Sequence, residues 1–504
     1  MKPEHERMRR GLLRILGRGG FRRQVLTLLS GSGIALTVAY FTQPVLTRLY
    51  APDAFGTSDY FGMLLAVFLT IGSLRYEDAV MTPRDDQEAS AVLRLALLLT
   101  LGWALLLSVT VLWREPLCAA LGVPGLAPWL WLLPLTLVLS KASRLMEAWL
   151  SRLKRFRPIS VGQVAATSAV AGTRITAGVL ASVPGPGGLI GGTAVGHMVT
   201  TLLYAPLVAR LRPVLRSPEE TRRPSPAWIA RRYRRFAIYS MPAAFLNSIV
   251  TRLPVVLLPI YFSVTAVGLY GRAFLTLAVP LGLVGSAVAQ VFFVHAGEAH
   301  RAGALGPLAG AVHRRLVLVG LFPTLAVMAA GPDLFEIVFG ADWRPAGGYL
   351  QVLAPWLFTS AIASPLTRIF DVLERQRADL LTSIFMFLLL GTALAAGGRT
   401  GEIGLTLVLL GVTGTFVRLV HLGTMLRLAG VRLRVTLVPY LEFGVIALPL
   451  AVLLWLVATR VAPLATLATA IVTGAVYYGI AAWREGIFSP DETQADDHLK
   501  NRPE

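Results

Sequence analysis

The sequence is poor in charge, poorer still in acid, and holds a single cysteine. Only 15% of its 504 residues are charged, against 55% hydrophobic. A soluble domain carries roughly a quarter charged residues, so the deficit excludes an ordinary water-soluble fold. One cysteine, Cys118, excludes an intramolecular disulfide and any paired-cysteine metal or redox motif. HExxH, P-loop and GxSxG patterns are also missing, so no metal, cofactor or nucleophile chemistry is expected and the chain does not read as an enzyme. Gly185-Pro186-Gly187-Gly188 has a glycine-loop look, but its spacing is wrong for phosphate and it joins two apolar stretches, so a tight turn is expected.

What the chain has is long apolar runs, with a mean hydropathy of +0.64. A helix needs about 20 mostly apolar residues to cross the hydrocarbon core. Fourteen stretches fit, near 24–46, 60–80, 91–112, 128–149, 160–182, 188–209, 236–259, 272–294, 315–330, 348–369, 379–397, 402–426, 435–458 and 462–482. The expected fold class is an all-α polytopic membrane protein. Its parts are a basic N-terminal segment 1–23, a six-helix bundle 24–209, a Pro- and Arg-rich linker 210–235, a second six-helix bundle 236–426, two further helices within 435–482, and a tail 483–504.

Forty-seven basic residues against 28 acidic ones give a formal charge of +19. Nucleic-acid binding is one reading of such a surplus, but the positions argue for topology. With the N-terminus in the cytoplasm, 33 Lys and Arg fall in inner segments and 5 in outer loops. That is the positive-inside bias, and it places both termini in the cytoplasm with no nucleic-acid partner.

The two halves repeat. Leu49-Tyr50-Ala51-Pro52-Asp53-Ala54-Phe55-Gly56 follows the first span, and Tyr261-Phe262-Ser263-Val264-Thr265-Ala266-Val267-Gly268 follows the seventh. Leu117–Gly122 corresponds to Leu334–Gly340, and the i, i+3 pair Arg144/Glu147 to Arg368/Asp371. At that spacing opposite charges share a helix face and can shield each other. Parallel halves suit alternating access, with a site between them.

Ionisable groups inside the membrane are costly and by default face a cavity or a partner. The basic candidates for substrate binding are Arg75, Arg144, Arg174, Arg252, Arg272, Arg368 and Arg418, with Lys141 beside them. Glu77, Asp78, Glu147 and Asp371 are the coupling or charge-balancing candidates. His197 and His421 read as packed residues. The cationic excess suits an anionic substrate, since guanidinium forks bind phosphate and pyrophosphate well.

The stretch Leu46-Thr47-Arg48-Leu49-Tyr50-Ala51-Pro52-Asp53-Ala54-Phe55-Gly56, then Leu74-Arg75-Tyr76-Glu77-Asp78-Ala79-Val80 and Pro83, resembles the N-terminal signature of bacterial polysaccharide flippases. These are the O-antigen and exopolysaccharide exporters of the multidrug/oligosaccharidyl-lipid/polysaccharide exporter superfamily. The likeness continues at Val267-Gly268-Leu269-Tyr270 and Phe339-Gly340-Ala341-Asp342-Trp343-Arg344-Pro345-Ala346-Gly347. It implies two six-helix lobes plus two helices, and a cationic cavity to which Arg75, Glu77, Arg252 and Arg368 contribute. It implies an inner-membrane transporter for a polyprenyl-pyrophosphate-linked oligosaccharide. Its partners would be that lipid-linked substrate, membrane lipids, and a polysaccharide polymerase and chain-length regulator. Rival readings are a multidrug exporter or a peptidoglycan-precursor flippase of the same superfamily, and a membrane glycosyltransferase or polymerase.

Overall fold

The computed structural model describes residues 31–83, 85–181, 183–210 and 225–485. The N-terminal segment 1–23, most of the linker 210–235 and most of the tail 483–504 lie outside the described residues. Among the described residues the secondary structure is helical throughout, with no strand. Helix packing divides the chain into two compact units, Met1–Gly268 and Leu269–Glu504.

The first unit contains α1 (helical over 31–41 and Gln43–Leu49), α2 (Pro52–Ile71), α3 (Asp86–Thr110), α4 (Leu132–Arg152), α5 (Phe156–Leu180), α6 (Pro186–Arg210) and α7 (Met241–Tyr261). α8 (Val264–Arg301) begins in it. The second unit holds α9 (Leu305–Phe339), α10 (Arg344–Leu366), α11 (Gln376–Arg399), α12 (Ile403–Leu428), α13 (Leu433–Arg460) and α14 (Pro463–Arg484). Within the first, α6 packs on α5 and α4, and α2 on α7. Within the second, α9 packs on α10, α13 and α14, while α12 lies between α10 and α11.

Among the described residues nine helices are long and apolar enough to cross a membrane: α2, α3, α6, α8, α9 and α11 to α14. α4, α5, α7 and α10 have 21, 25, 21 and 23 residues and so have the length. α4 and α5 are the less apolar of these, while α7 is apolar over its described stretch Arg252–Tyr261. α4 carries Lys141, Arg144, Glu147 and Arg152, α5 Arg174 and α7 Arg252, so these helices bear many of the candidate charges.

The second span differs from its expected extent of 60–80, because α2 stops at Ile71. Gly72 ends it, Leu74 and Arg75 take left-handed backbone angles (φ 50° and 62°), and a 3-10 turn follows over Tyr76–Met81. Arg75, Glu77 and Asp78 therefore lie beyond the spanning helix, in a connector. The tight turn expected over Gly185-Pro186-Gly187-Gly188 is not formed: Pro186, Gly187 and Gly188 are the first residues of α6, where proline suits the opening turn of a helix.

Turn chemistry repeats between the two units. Gly122 (φ 73°) precedes the 3-10 turn Pro124–Trp129 that leads into α4, and Gly340 (φ 107°) precedes the turn Ala341–Trp343 that leads into α10. After α4, Lys154 is left-handed (φ 57°) and the Arg155 N–H reaches the Leu150 carbonyl at 2.9 Å. After α10 and the short helix Arg368–Val372, Glu374 is left-handed (φ 54°) and the Arg375 N–H reaches the Phe370 carbonyl at 2.9 Å. Both are Schellman-type closures that cap free carbonyls at a helix end.

The elbow glycines also meet. A Cβ at Gly56 would lie 1.9 Å from the Val264 carbonyl oxygen, and one at Gly268 would lie 1.9 Å from the Pro52 carbonyl oxygen. The start of α2 and the start of α8 thus touch backbone to backbone, which only hydrogen at Cα permits.

Candidate functional site

The densest buried polar group in the first unit is centred on Lys141 of α4. Its side chain is 1% exposed, and its Nζ donates to the Leu69 carbonyl, Ser73 Oγ and Glu77 Oε1, each at 2.8 Å. An ammonium has three protons, so all three are used. Ser73 in turn donates to Glu77 Oε2. Burial alone would lift the Glu77 carboxyl, but the Lys141 charge and the hydrogen bonds from Lys141 and Ser73 outweigh it and hold Glu77 below the usual carboxylate range. Neighbouring Asp78 goes the other way: burial raises it, and the Arg75 charge offsets only part of this. Arg75 and Asp78 pair at 2.7 Å across i, i+3.

Of Lys141, Arg75 and Arg144, the first two are thus neutralised in place. The third, Arg144, is exposed and makes no hydrogen bond or ion pair among the described residues, while its charge is felt at Lys141 and at His197 of α6. The expected Arg144–Glu147 pairing is not formed. Glu147 instead accepts from Gln163 Nε2 of α5 at 3.2 Å, and Gln163 Oε1 accepts from Ser32 at 2.8 Å. Shared helix face does not oblige contact when a neighbouring helix offers a donor to the carboxylate.

Arg174 is spent on packing. Its Nε donates to the Leu189 carbonyl at 3.1 Å and its guanidinium to Thr193 Oγ1 at 3.0 Å, which fastens α5 to α6 where Gly192 makes room for the side chain. Arg252 turns back along α7 to Ser248, 3.2 Å from its Oγ.

In the second unit, Arg272 is buried in α8, and Arg368 pairs with Asp371 at 3.2 Å in the exposed short helix after α10. Arg418 of α12 makes no hydrogen bond or ion pair among the described residues, and its Nε is buried without a partner. Its charge acts on Asp379 of α11 and on His421, one turn along α12. His421 Nε2 lies 3.5 Å from Asp379 Oδ1, and its ring packs on Phe370 at 5.4 Å.

Of the seven candidate arginines, Arg144 and Arg418 have no hydrogen-bonding partner among the described residues, Arg75, Arg174, Arg252 and Arg368 have definite ones, and Arg272 is buried. Sequence reasoning passed over Ser73, Asp379 and the anchoring role of Lys141. A lysine in a predicted span was the available signal for the last; a serine and a helix-start aspartate gave none.

The comparisons with known proteins agree with this architecture. The sequence profile described as "Polysaccharide biosynthesis protein" matches residues 45–347, more than half of the chain. The chain belongs to this family. No curated protein sequence matches it. Among solved structures, a lipid II flippase, MurJ, in an inward closed conformation superposes with a TM-score of 0.68 at 12% identity, over 92% of this chain and 100% of the other. A multidrug resistance MATE family transporter of the MOP superfamily, in an inward-facing conformation, gives 0.54 at 14% identity, over 80% and 98%. At such identities the likeness establishes the fold, which is the one expected from the flippase resemblance.

Proposed function

We propose that the chain is a transporter that turns a polyprenyl-pyrophosphate-linked oligosaccharide from one leaflet of a bacterial inner membrane to the other by alternating access. The observation that carries the reading is the conjunction of family and fold: membership in a polysaccharide biosynthesis family, on the fold of a solved lipid II flippase along nearly the whole chain. The exposed Arg144, unpaired among the described residues, supports an anionic cargo, because a guanidinium without a bound carboxylate can take phosphate oxygens. On this reading the lobes are the bundles 24–209 and 236–426 with two helices added in 435–482. Both termini are cytoplasmic, and a polymerase and chain-length regulator act downstream.

A second reading, a multidrug exporter, is favoured by the likeness to the MATE transporter. The arginine excess weighs against cationic drugs as cargo. A peptidoglycan-precursor flippase would share the cationic requirement and the MurJ fold.

Deleting the gene and analysing lipid-linked intermediates and surface glycan separates these outcomes. Loss of surface polysaccharide with an intact repeat unit held on the cytoplasmic leaflet is expected. A truncated or unlinked sugar would point to a glycosyltransferase or polymerase, and lipid II accumulation to the precursor flippase.

A further inference from the structure

The segment that leaves α2, described over 73–83, is strained at its start and fastened at both ends, the second fastening reaching Asp86 at the start of α3. Two consecutive residues, Leu74 and Arg75, hold left-handed backbone angles that favour glycine. Neither is glycine, so the conformation persists only if its surroundings impose it. α8, at the corresponding place in the repeat, continues as one 38-residue helix with no such break.

α4 supplies the constraint. Lys141 Nζ binds the Leu69 carbonyl near the end of α2 together with Ser73 and Glu77, on both sides of the left-handed pair. Arg152 holds the far end: its guanidinium donates to the Val80 carbonyl and to Asp86 Oδ1, each at 2.8 Å. The two cations stand eleven positions apart, close to three full turns at 3.6 residues each, so they lie on one face of α4. A cation at a helix C-terminus is also favourable against the helix dipole.

We propose that Lys141 is a positioning residue, a clasp that holds Leu74 and Arg75 in their left-handed conformation and so aims the Arg75 guanidinium, and that it is not itself a ligand for the cargo. Its three protons are all committed inside the protein, which leaves none for a phosphate. Among the described residues Arg75 keeps a buried Nε without a hydrogen-bond partner and forms one ion pair, with Asp78. The part of this inference that concerns cargo rests on the transporter reading; the part that concerns the connector does not.

Lys141→Met, Leu74→Gly and the double variant of the full-length chain test it. Amide hydrogen exchange over residues 73–86 is measured in detergent without substrate. Lys141→Met is expected to speed exchange there on the order of tenfold or more, since it leaves Glu77 buried and unpaired. Glycine adopts the left-handed region without penalty, so the double variant returns most of the way to wild type. Flipping of a polyprenyl-pyrophosphate oligosaccharide in liposomes is measured on the same proteins, where Lys141→Met raises KM and the added Leu74→Gly lowers it again. Unchanged exchange in Lys141→Met overturns the clasp. Altered exchange with a KM that Leu74→Gly fails to restore makes Lys141 a direct ligand and overturns the positioning role. If Lys141→Met fails to fold, Glu77→Gln provides the milder break of the same network, read by the same two measurements. Wild-type protein that does not flip the probe defeats the transporter reading, while the exchange data still decide the clasp.

Discussion

Lys141 and Arg144 stand one turn apart on α4 with the same formal charge, and their surroundings give them opposite uses. Lys141 is buried and saturated with acceptors; Arg144 is exposed and has no hydrogen bond or ion pair among the described residues. Arg144→Ala is therefore expected to lower flipping of the lipid-linked oligosaccharide by about tenfold or more, the scale of one charged hydrogen bond. Its thermal midpoint should stay at the wild-type value; a fall in the midpoint matching the fall in flipping would make Arg144 structural. Lys141→Met strands a buried carboxylate and should cost about 3 kcal/mol of stability, visible as a lowered midpoint. Glu77 sets the pH dependence. Its folded pKa is depressed by Lys141 and Ser73 in spite of burial, so the stability it contributes is fully present above the ordinary glutamate pKa of about 4.3 and is lost as pH falls through the lower folded value. The difference in thermal midpoint between wild type and Glu77→Gln should hold steady from neutral pH down to about pH 5 and shrink only below that. A difference that shrinks between pH 8 and 6 would contradict the assignment.

Among the helices, glycine determines how closely segments approach. The starts of α2 and α8 touch through Gly56 and Gly268. In the second unit Gly331 of α9 and Gly347 of α10 meet in the same reciprocal way, with added Cβ atoms 2.6 and 2.3 Å from the opposing carbonyl oxygens. Gly56→Ala and Gly268→Ala must push two backbones apart, and each should destabilise by about 1–3 kcal/mol. Gly62→Ala on α2 meets nothing within 4 Å and should leave the thermal midpoint unchanged or slightly raised. The last two helices are fastened to α9 rather than merely following it in the chain. Arg314 binds Glu485 at 2.7 Å and also pairs with Glu442, Tyr477 and Tyr478 donate to the Leu318 and Val319 carbonyls at 2.9 and 2.8 Å, and Thr466 donates to Asp333 at 3.3 Å. Arg314→Met should loosen both attachments at one end, measured as faster amide exchange in α13 and α14 with α11 unaffected.

For the whole molecule, the sequence was legible where one property controls the outcome. Apolar runs located the helices, and the order of the elbows and turn glycines showed the repeat that Gly122 and Gly340 later display in their backbone angles. The same ruler erred at the end of α2, where the apolar run carries past Ile71 although the helix does not. The break is made by two non-glycine residues whose conformation is imposed from α4, and nothing local in Leu74 or Arg75 announces it. The topology expectation is tested separately from function. Cysteines placed one at a time in the loop 399–402 and in the connector 73–86 should label from opposite sides of the membrane with an impermeant maleimide, Cys118 being buried.

Composition and periodicity alone determined that this chain lives in lipid as a set of helices with a surplus of positive charge, because burial of apolar side chains and the cost of charge in hydrocarbon act on each segment separately. Which charges remain available was decided only by tertiary structure. Lys141, Arg152 and Arg314 became fastenings through carbonyls and carboxylates brought to them from segments distant in sequence, and no single stretch holds both partners of those contacts.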